Sequence, residues 1–404
     1  MDSEVSPILQ NPTNDFWKRN LIFVALSQFI AMVGMSAFVP FMPLFVFDLG
    51  VSNIEEAKIW SGLVFAGPYF LSIITVPIWG HLGDKYGKKL MMMRALFGLT
   101  IAVFLMGFSQ NIYHLFFLRI FQGGVSGIIA AALAFTASNT PNEKTGYAIG
   151  ILQSSQSAGN IVGPLIGGII SDLFGFRNTF IIVASLIFIS ALSVFFFVDE
   201  RNKSYTKSNL SFVAGLKLMQ GIPGISFILT LIILSQAGIQ YTNPIFPYFV
   251  DKLGAPKEML SSITGMLVGI VGLFSVFFAP IWGKRNDKKD YRKTIFVSTG
   301  IIGIAGILHI FVPNYLYLFP LRIIIGIFFA AVIPTLYSAL NKLGNEEIKG
   351  GLMGIASSAN LIGSLLAFIS CGFVSSWLGL DSAFIISGLL LISVSLLAKY
   401  WRNG

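Results

Sequence analysis

Pro77-Ile78-Trp79-Gly80-His81-Leu82-Gly83-Asp84 returns later in the chain as Pro280-Ile281-Trp282-Gly283-Lys284-Arg285-Asn286-Asp287, its first four residues and its aspartate unchanged. The offset, 280 − 77 = 203 residues, is close to half of the 404-residue chain. Other landmarks keep that offset to within one residue. Pro40 and Pro43 ahead of Leu49-Gly50 return as Pro244 and Pro247 ahead of Leu253-Gly254. Asn111, Leu118, Arg119 and Gly123 return as Asn314, Leu321, Arg322 and Gly326, and Gly150, Gly159 and Gly168 as Gly354, Gly363 and Gly372. Ordered matches along half a chain mark a duplicated unit. Parallel internal repeats of this kind build rocking carriers, in which two similar bundles pivot about a central site.

Composition says where the duplicated unit lives. The chain is 55% hydrophobic and 11% charged, whereas a soluble domain carries about 25% charged residues. The apolar residues come in blocks such as Leu21–Phe47, Ile225–Val250 and Ser382–Ala398, near or above the roughly 20 residues that cross a bilayer. Polar breaks leave twelve such segments, centred near Val33, Tyr69, Ala102, Ile128, Ala158, Leu186, Gln236, Val271, Gly303, Ile327, Ile362 and Leu390. The expected fold is an all-α membrane protein of twelve transmembrane helices in two pseudo-symmetric six-helix bundles. The bundles are expected at 1–198 and 223–404, joined by a polar linker over 199–222 in which Phe212–Met219 is amphiphilic enough to lie along the membrane surface.

The net charge of +9 follows from topology and calls for no nucleic acid. One set of span flanks carries 21 of the 27 Lys and Arg residues, the other only Lys58, Arg177, Lys252 and Lys257, and Arg119 and Arg322 lie inside spans. The positive-inside rule then puts both termini and the linker in the cytoplasm, with a retained first span in a bacterial inner membrane. The single cysteine, Cys371, excludes an intramolecular disulfide.

Three motifs carry chemistry. Between spans 2 and 3, Gly80, Gly83, Asp84, Lys85, Gly87, Lys88 and Lys89 form a tight basic turn. Its glycines allow close backbone approach, and Asp84 suits the positively polarised N-terminus of a neighbouring helix. This reads as a latch on the cytoplasmic side. In span 4, a charge within the membrane costs at least roughly 2.5–3.5 kcal/mol, so Arg119 faces the bundle interior or a wet cavity. Gln122 and Ser126 share its helical face at i+3 and i+7. In span 5, Gly159, Gly163, Gly167 and Gly168 form a flat stripe for close helix packing, and Pro164 bends the helix. The repeat has Ala367 and Phe368 where Gly163 and Pro164 stand, so only one half keeps this motif.

These motifs resemble the loop signature G-x-L-x-D-x-x-G-x-K, the R-x-x-q-G motif and the antiporter signature G-x-x-x-G-P-x-x-G-G of the major facilitator superfamily. With Trp17-Lys18-Arg19-Asn20, Trp60-Ser61-Gly62 and Met106 to Asn111, the chain is similar to the twelve-span drug:proton antiporter branch. The resemblance implies proton-coupled export of small molecules by alternating access. Many members end span 4 with an acid that pairs with the basic loop; here that position holds Ser138.

Polar residues line single helical faces: Gln28 in span 1, Gln153, Gln156 and Asn160 in span 5, Gln236 and Gln240 in span 7, and Asn360 in span 11. Phe38, Tyr241 and Tyr337 are candidate aromatic walls. No span interior holds Asp or Glu, so with Arg119 and Arg322 the cavity is neutral to positive. It suits neutral, zwitterionic or anionic cargo. Asp84 is the leading acid for protons, with His309 second. A carboxylate-type siderophore or another anionic metabolite is the alternative cargo. No His/Asp/Glu constellation or large soluble domain supports an enzyme or receptor. The expected assembly is a monomer with lipid, protons and a small molecule as partners, and with no catalytic residue, metal or cofactor.

Overall fold

The computed structural model describes residues 16–200, 224–288, 291–343 and 349–400, and all their regular elements are helical. Most of the expected linker, with Phe212–Met219, lies outside the described residues. Among the described residues eleven helical stretches are long and apolar enough to cross a membrane, with Ile112–Asn139 counted as one. The remaining crossing, span 7, is made of Ile225–Gln240 continued by Phe246–Lys252. Span 1 is broken in the same way, into Phe16–Ser36 and Met42–Asp48. Both breaks fall on the repeated proline pair, because proline lacks an N–H and clashes with the carbonyl four residues back. Pro43 and Pro247 then open the second segments, where the missing N–H costs nothing.

Spans 2 and 3 are Ile54–Tyr86 and Lys88–Gly107, and spans 5 and 6 are Asn142–Phe174 and Phe176–Phe197. Spans 8, 9, 11 and 12 are Leu260–Lys288, Tyr291–Leu308, Lys349–Leu378 and Leu380–Tyr400. Span 10 is continuous over Leu318–Leu343, whereas span 4 splits into Ile112–Gly124 and Ile128–Asn139. The split needs Gly127, whose φ of +117° is costly for any residue with a Cβ.

Span pairings repeat as the sequence does. Span 1 packs on 5 and 6, span 2 on 4 and span 3 on 6; span 7 packs on 11 and 12, span 8 on 10 and span 9 on 12. Single contacts repeat too. The Trp79 indole donates to the Gly124 carbonyl at 2.7 Å, and Trp282 to the Ile327 carbonyl at 2.7 Å. Phe38, Phe41 and Phe45 cluster with Phe180 in the first bundle, and Phe249 with Phe384 in the second. Large apolar side chains such as Ile74, Phe117, Phe277 and Leu378 stay exposed on the outside, the surface that lipid covers. The bundles meet along two pairs, span 5 on span 8 and span 2 on span 11.

Candidate functional site

The site is the space between the bundles, and its apex is Arg119. This side chain is 8% exposed. Its Nε donates to the Val64 carbonyl at 3.0 Å and its Nη1 to Gln122 Oε1 at 2.7 Å. Gly67 makes room for it, since a Cβ there would sit 2.8 Å from the Arg119 Cβ. Among the described residues no carboxylate pairs with it. Tyr69 stands beside it, with its hydroxyl meeting Gln240 and Ser364 of the second bundle and its ring 5.4 Å from that of Phe368. A cation and a phenol thus share the point where the halves meet.

Polar pairs flank the apex in both halves. Gln28 donates to Gln156 at 3.4 Å across spans 1 and 5, and Gln236 to Ser364 at 3.1 Å across spans 7 and 11. Asn243 donates to Gln240 at 3.1 Å. Gln153 and Asn160 are exposed on span 5 and Asn360 is half-buried on span 11. Tyr241 is buried beside Ser370 and Cys371.

Three expected members sit elsewhere. Phe38 packs inside the first bundle against Phe180 rather than walling the cavity. Ser126 does not join Arg119: i+7 spacing assumes an unbroken helix, and the chain breaks at Val125–Gly127. The Ser126 hydroxyl bonds instead to the Gly123 carbonyl and the Ser72 hydroxyl. Arg322 is as buried as its repeat mate but lies within the second bundle. Its guanidinium carbon is 3.7 Å above the Phe246 ring, and it has no hydrogen-bond partner among the described residues. His309 is its neighbour, with Nδ1 on the Ala305 carbonyl and its ring stacked on Phe384.

The two ends of the cavity differ. At the end away from the termini, the Tyr248 hydroxyl donates to the Pro43 carbonyl and contacts the Ser61 hydroxyl. A side chain at Gly168 would strike the Ser261 carbonyl, one at Gly265 the Pro164 carbonyl, and one at Gly62 the Phe368 carbonyl. The antiporter stripe thus packs on both sides: Gly163 and Gly167 on span 1 at Ser36 and Ala37, Gly168 on span 8. Gly159 presses on Met32 and Phe29. Toward the end that bears the termini no hydrogen bond joins the bundles among the described residues. A Cβ at Gly80, Gly146, Gly150, Gly283 or Gly354 would meet nothing within 4 Å there, as is also so at the turn glycines Gly50, Gly175, Gly254 and Gly379 of the other end. Asp84, half-buried beside a small cavity with Lys88, Arg94, Trp79 and Gly83, has no hydrogen-bond or ion-pair partner among the described residues.

Sequence reasoning missed several polar residues that hold this arrangement. Glu200, just past span 6, accepts from the backbone N–H of Lys88 at 2.9 Å and Lys89 at 3.1 Å. An acid therefore does meet the basic turn, from span 6 instead of the Ser138 position. Asp199 pairs with Arg19 at 2.8 Å. Arg94 lies 3.7 Å over Trp79 and donates to the Val125 and Ser126 carbonyls, which staples the break in span 4. Asp172 accepts from Ser261 and Ser262 of span 8. The signal available was position: each acid stands at a span end, where Glu200 and Asp172 find the free N–H groups of a neighbouring helix and Asp199 finds the Arg19 side chain.

Polar residues at the junction of two repeated bundles, which touch directly toward one end and share no hydrogen bond toward the other among the described residues, are the arrangement of a secondary transporter. The profile of the Major Facilitator Superfamily matches residues 24–232 and 228–403; the chain belongs to that family. It is 31% identical to the multidrug resistance protein MdtG of Proteus mirabilis over 92% of this chain and 93% of that protein. It is 32% identical to MdtG of Salmonella arizonae over 92% of each. Among solved structures, a bacterial homologue of the human lysosomal transporter Spinster, inward-facing and occupied, superposes with a TM-score of 0.81 at 13% identity, covering 96% of this chain and 97% of that one.

Proposed function

We propose that this carrier exports small molecules in exchange for protons, with both termini in the cytoplasm of a bacterial cell and its cavity open to that side in this structure. One observation carries the reading. Among the described residues the contacts between the bundles run from mid-span, at Tyr69 beside the buried, carboxylate-free Arg119, to the end away from the termini, and no hydrogen bond or glycine contact joins the bundles toward the termini. A fixed pore needs no such asymmetry. A carrier caught in one of two rocking states does.

Relatives named as multidrug resistance proteins support efflux over uptake. The siderophore alternative draws no support from them. The chain divides at 199–222 into bundles 1–198 and 223–404, and a monomer suffices because each gate is built within one chain. Asp84 and the Gly80–Lys89 turn act in the opposite state, where the open end closes; a free Asp84 fits a latch released in this one. Arg119, with Gln122, Tyr69, Gln28, Gln236 and Gln240, receives the cargo, and the lack of an acid nearby favours neutral, zwitterionic or anionic molecules. The test is reconstitution. Proteoliposomes with an imposed pH gradient should move an anionic or neutral drug against its concentration gradient, and movement indifferent to the pH gradient would refute proton coupling.

A further inference from the structure

We infer that Asp172 is the latch of the closed gate, a positioning residue that sets how the carrier divides its time between its two states. Asp172 stands two residues before the end of span 5. Its Oδ2 accepts from the Ser262 backbone N–H at 2.7 Å and from the Ser262 hydroxyl at 2.6 Å, and its Oδ1 from the Ser261 N–H at 3.3 Å. Span 8 begins at Leu260, so these are first-turn amides with no partner inside their own helix. The helix end is also positively polarised, which suits a carboxylate.

What makes the contact a gate element is that all three hydrogen bonds cross between the bundles. Neither bundle gains from them alone. They exist when the far end is closed and vanish when it opens, so they act wholly on the balance between states. The approach is enforced one turn earlier, where Gly168 lies against the Ser261 carbonyl and Gly265 against the Pro164 carbonyl. Helices in backbone contact bring a short aspartate within reach of the amides.

The companion interface has no such device. Gly62 and Gly372 bring spans 2 and 11 equally close, but the repeat positions of Asp172 are 172 + 203 = 375 and 172 + 204 = 376, both serine. The Ser375 hydroxyl is bonded to the Cys371 carbonyl of its own helix. The charge latch therefore sits on the one interface that keeps Gly163-Pro164. One interface is pinned by a carboxylate at its end, and the other is held by packing and by the Tyr69 hydroxyl at Ser364.

This inference rests on the alternating-access reading, and its test reads conformation instead of transport. Asn160→Cys in a Cys371→Ala background places a thiol in the cavity, and a membrane-impermeant maleimide is added to sealed vesicles of either orientation. Asp172→Ala should raise the labelling rate from the far side about tenfold and lower it from the side of the termini, on the scale of one lost charged hydrogen bond. Asp172→Glu should restore most of the parent ratio, and Ser262→Ala, which removes one donor of three, should shift it about threefold. An unchanged ratio in folded Asp172→Ala would overturn the latch, and so would faster labelling from both sides, which signifies a loosened bundle. Should Asp172→Ala fail to insert, Ser262→Ala decides, with no shift counting against the proposal. A parent that moves no cargo but keeps these ratios would sink the transport reading alone.

Discussion

Tyr248 of the second bundle donates its hydroxyl to the carbonyl oxygen of Pro43 in the first, at 2.6 Å. The two residues belong to the broken ends of spans 7 and 1, which the repeat makes equivalent. The same hydroxyl lies 2.9 Å from Ser61 Oγ, so one phenol ties the halves together at the closed end. Tyr248→Phe removes both bonds and keeps the ring against Phe47. The closed state should lose about 0.5–1.5 kcal/mol per hydrogen bond. The check is maleimide labelling of an Asn160→Cys thiol from the far side, which should quicken several-fold.

Glycines at the two contacts of span 5, Gly167 toward span 1 and Gly265 of span 8, should separate by phenotype. Gly167→Val meets Ala37 inside the first bundle and should destabilise the protein by about 1–3 kcal/mol, the usual cost of overpacking. Gly265→Val meets Pro164 across the gate, so it should abolish transport with little change in thermal unfolding temperature. Equal loss of stability in both would show that the span 5–span 8 contact is permanent.

Asp84 has no hydrogen-bond or ion-pair partner among the described residues, and its neutralisation should leave this state intact. Asp84→Asn should insert normally and unfold at the parent temperature, yet transport slowly, because the opposite state has lost its latch. Efflux at the parent rate in a normally expressed variant would remove the latch from the account.

Both termini are assigned to the cytoplasm from the distribution of Lys and Arg. Cysteines at Ser3 and Asn53, each in the Cys371→Ala background, should therefore react oppositely with an impermeant maleimide in intact cells. Equal labelling would contradict the topology.

Much of this was legible in the sequence because apolar length and an exact four-residue repeat are local signals. The span midpoints follow from them, whereas the repeated prolines read only as landmarks and not as the breaks they make in spans 1 and 7. The break in span 4 was not legible, since Gly127 enters a positive φ only because Arg94 and Trp79, from two other helices, satisfy the carbonyls it frees. Ser126 was misplaced for that reason. Arg119 and Arg322 read alike on the page, yet one meets Gln122 and the other Phe246, because Ile325 stands where the repeat would need a glutamine. Asp172 and Glu200 looked like ordinary span-end acids. Their work depends on which helix starts beside them, and that is a fact of packing.

The central claim is that Arg119 gives the cavity its charge preference, and transport by reconstituted protein tests it most directly. Matched anionic, neutral and cationic compounds are presented under one imposed pH gradient to the parent, Arg119→Lys and Arg119→Ala. A charged hydrogen bond is worth about 1.5–3 kcal/mol, so Arg119→Ala should slow the anionic compound by about tenfold or more while sparing the neutral one. Arg119→Lys should recover part of the rate, because an ammonium keeps the charge but not the planar fork that holds Val64 and Gln122 together. Strong preference of the parent for the cation, unchanged in Arg119→Ala, would contradict the account.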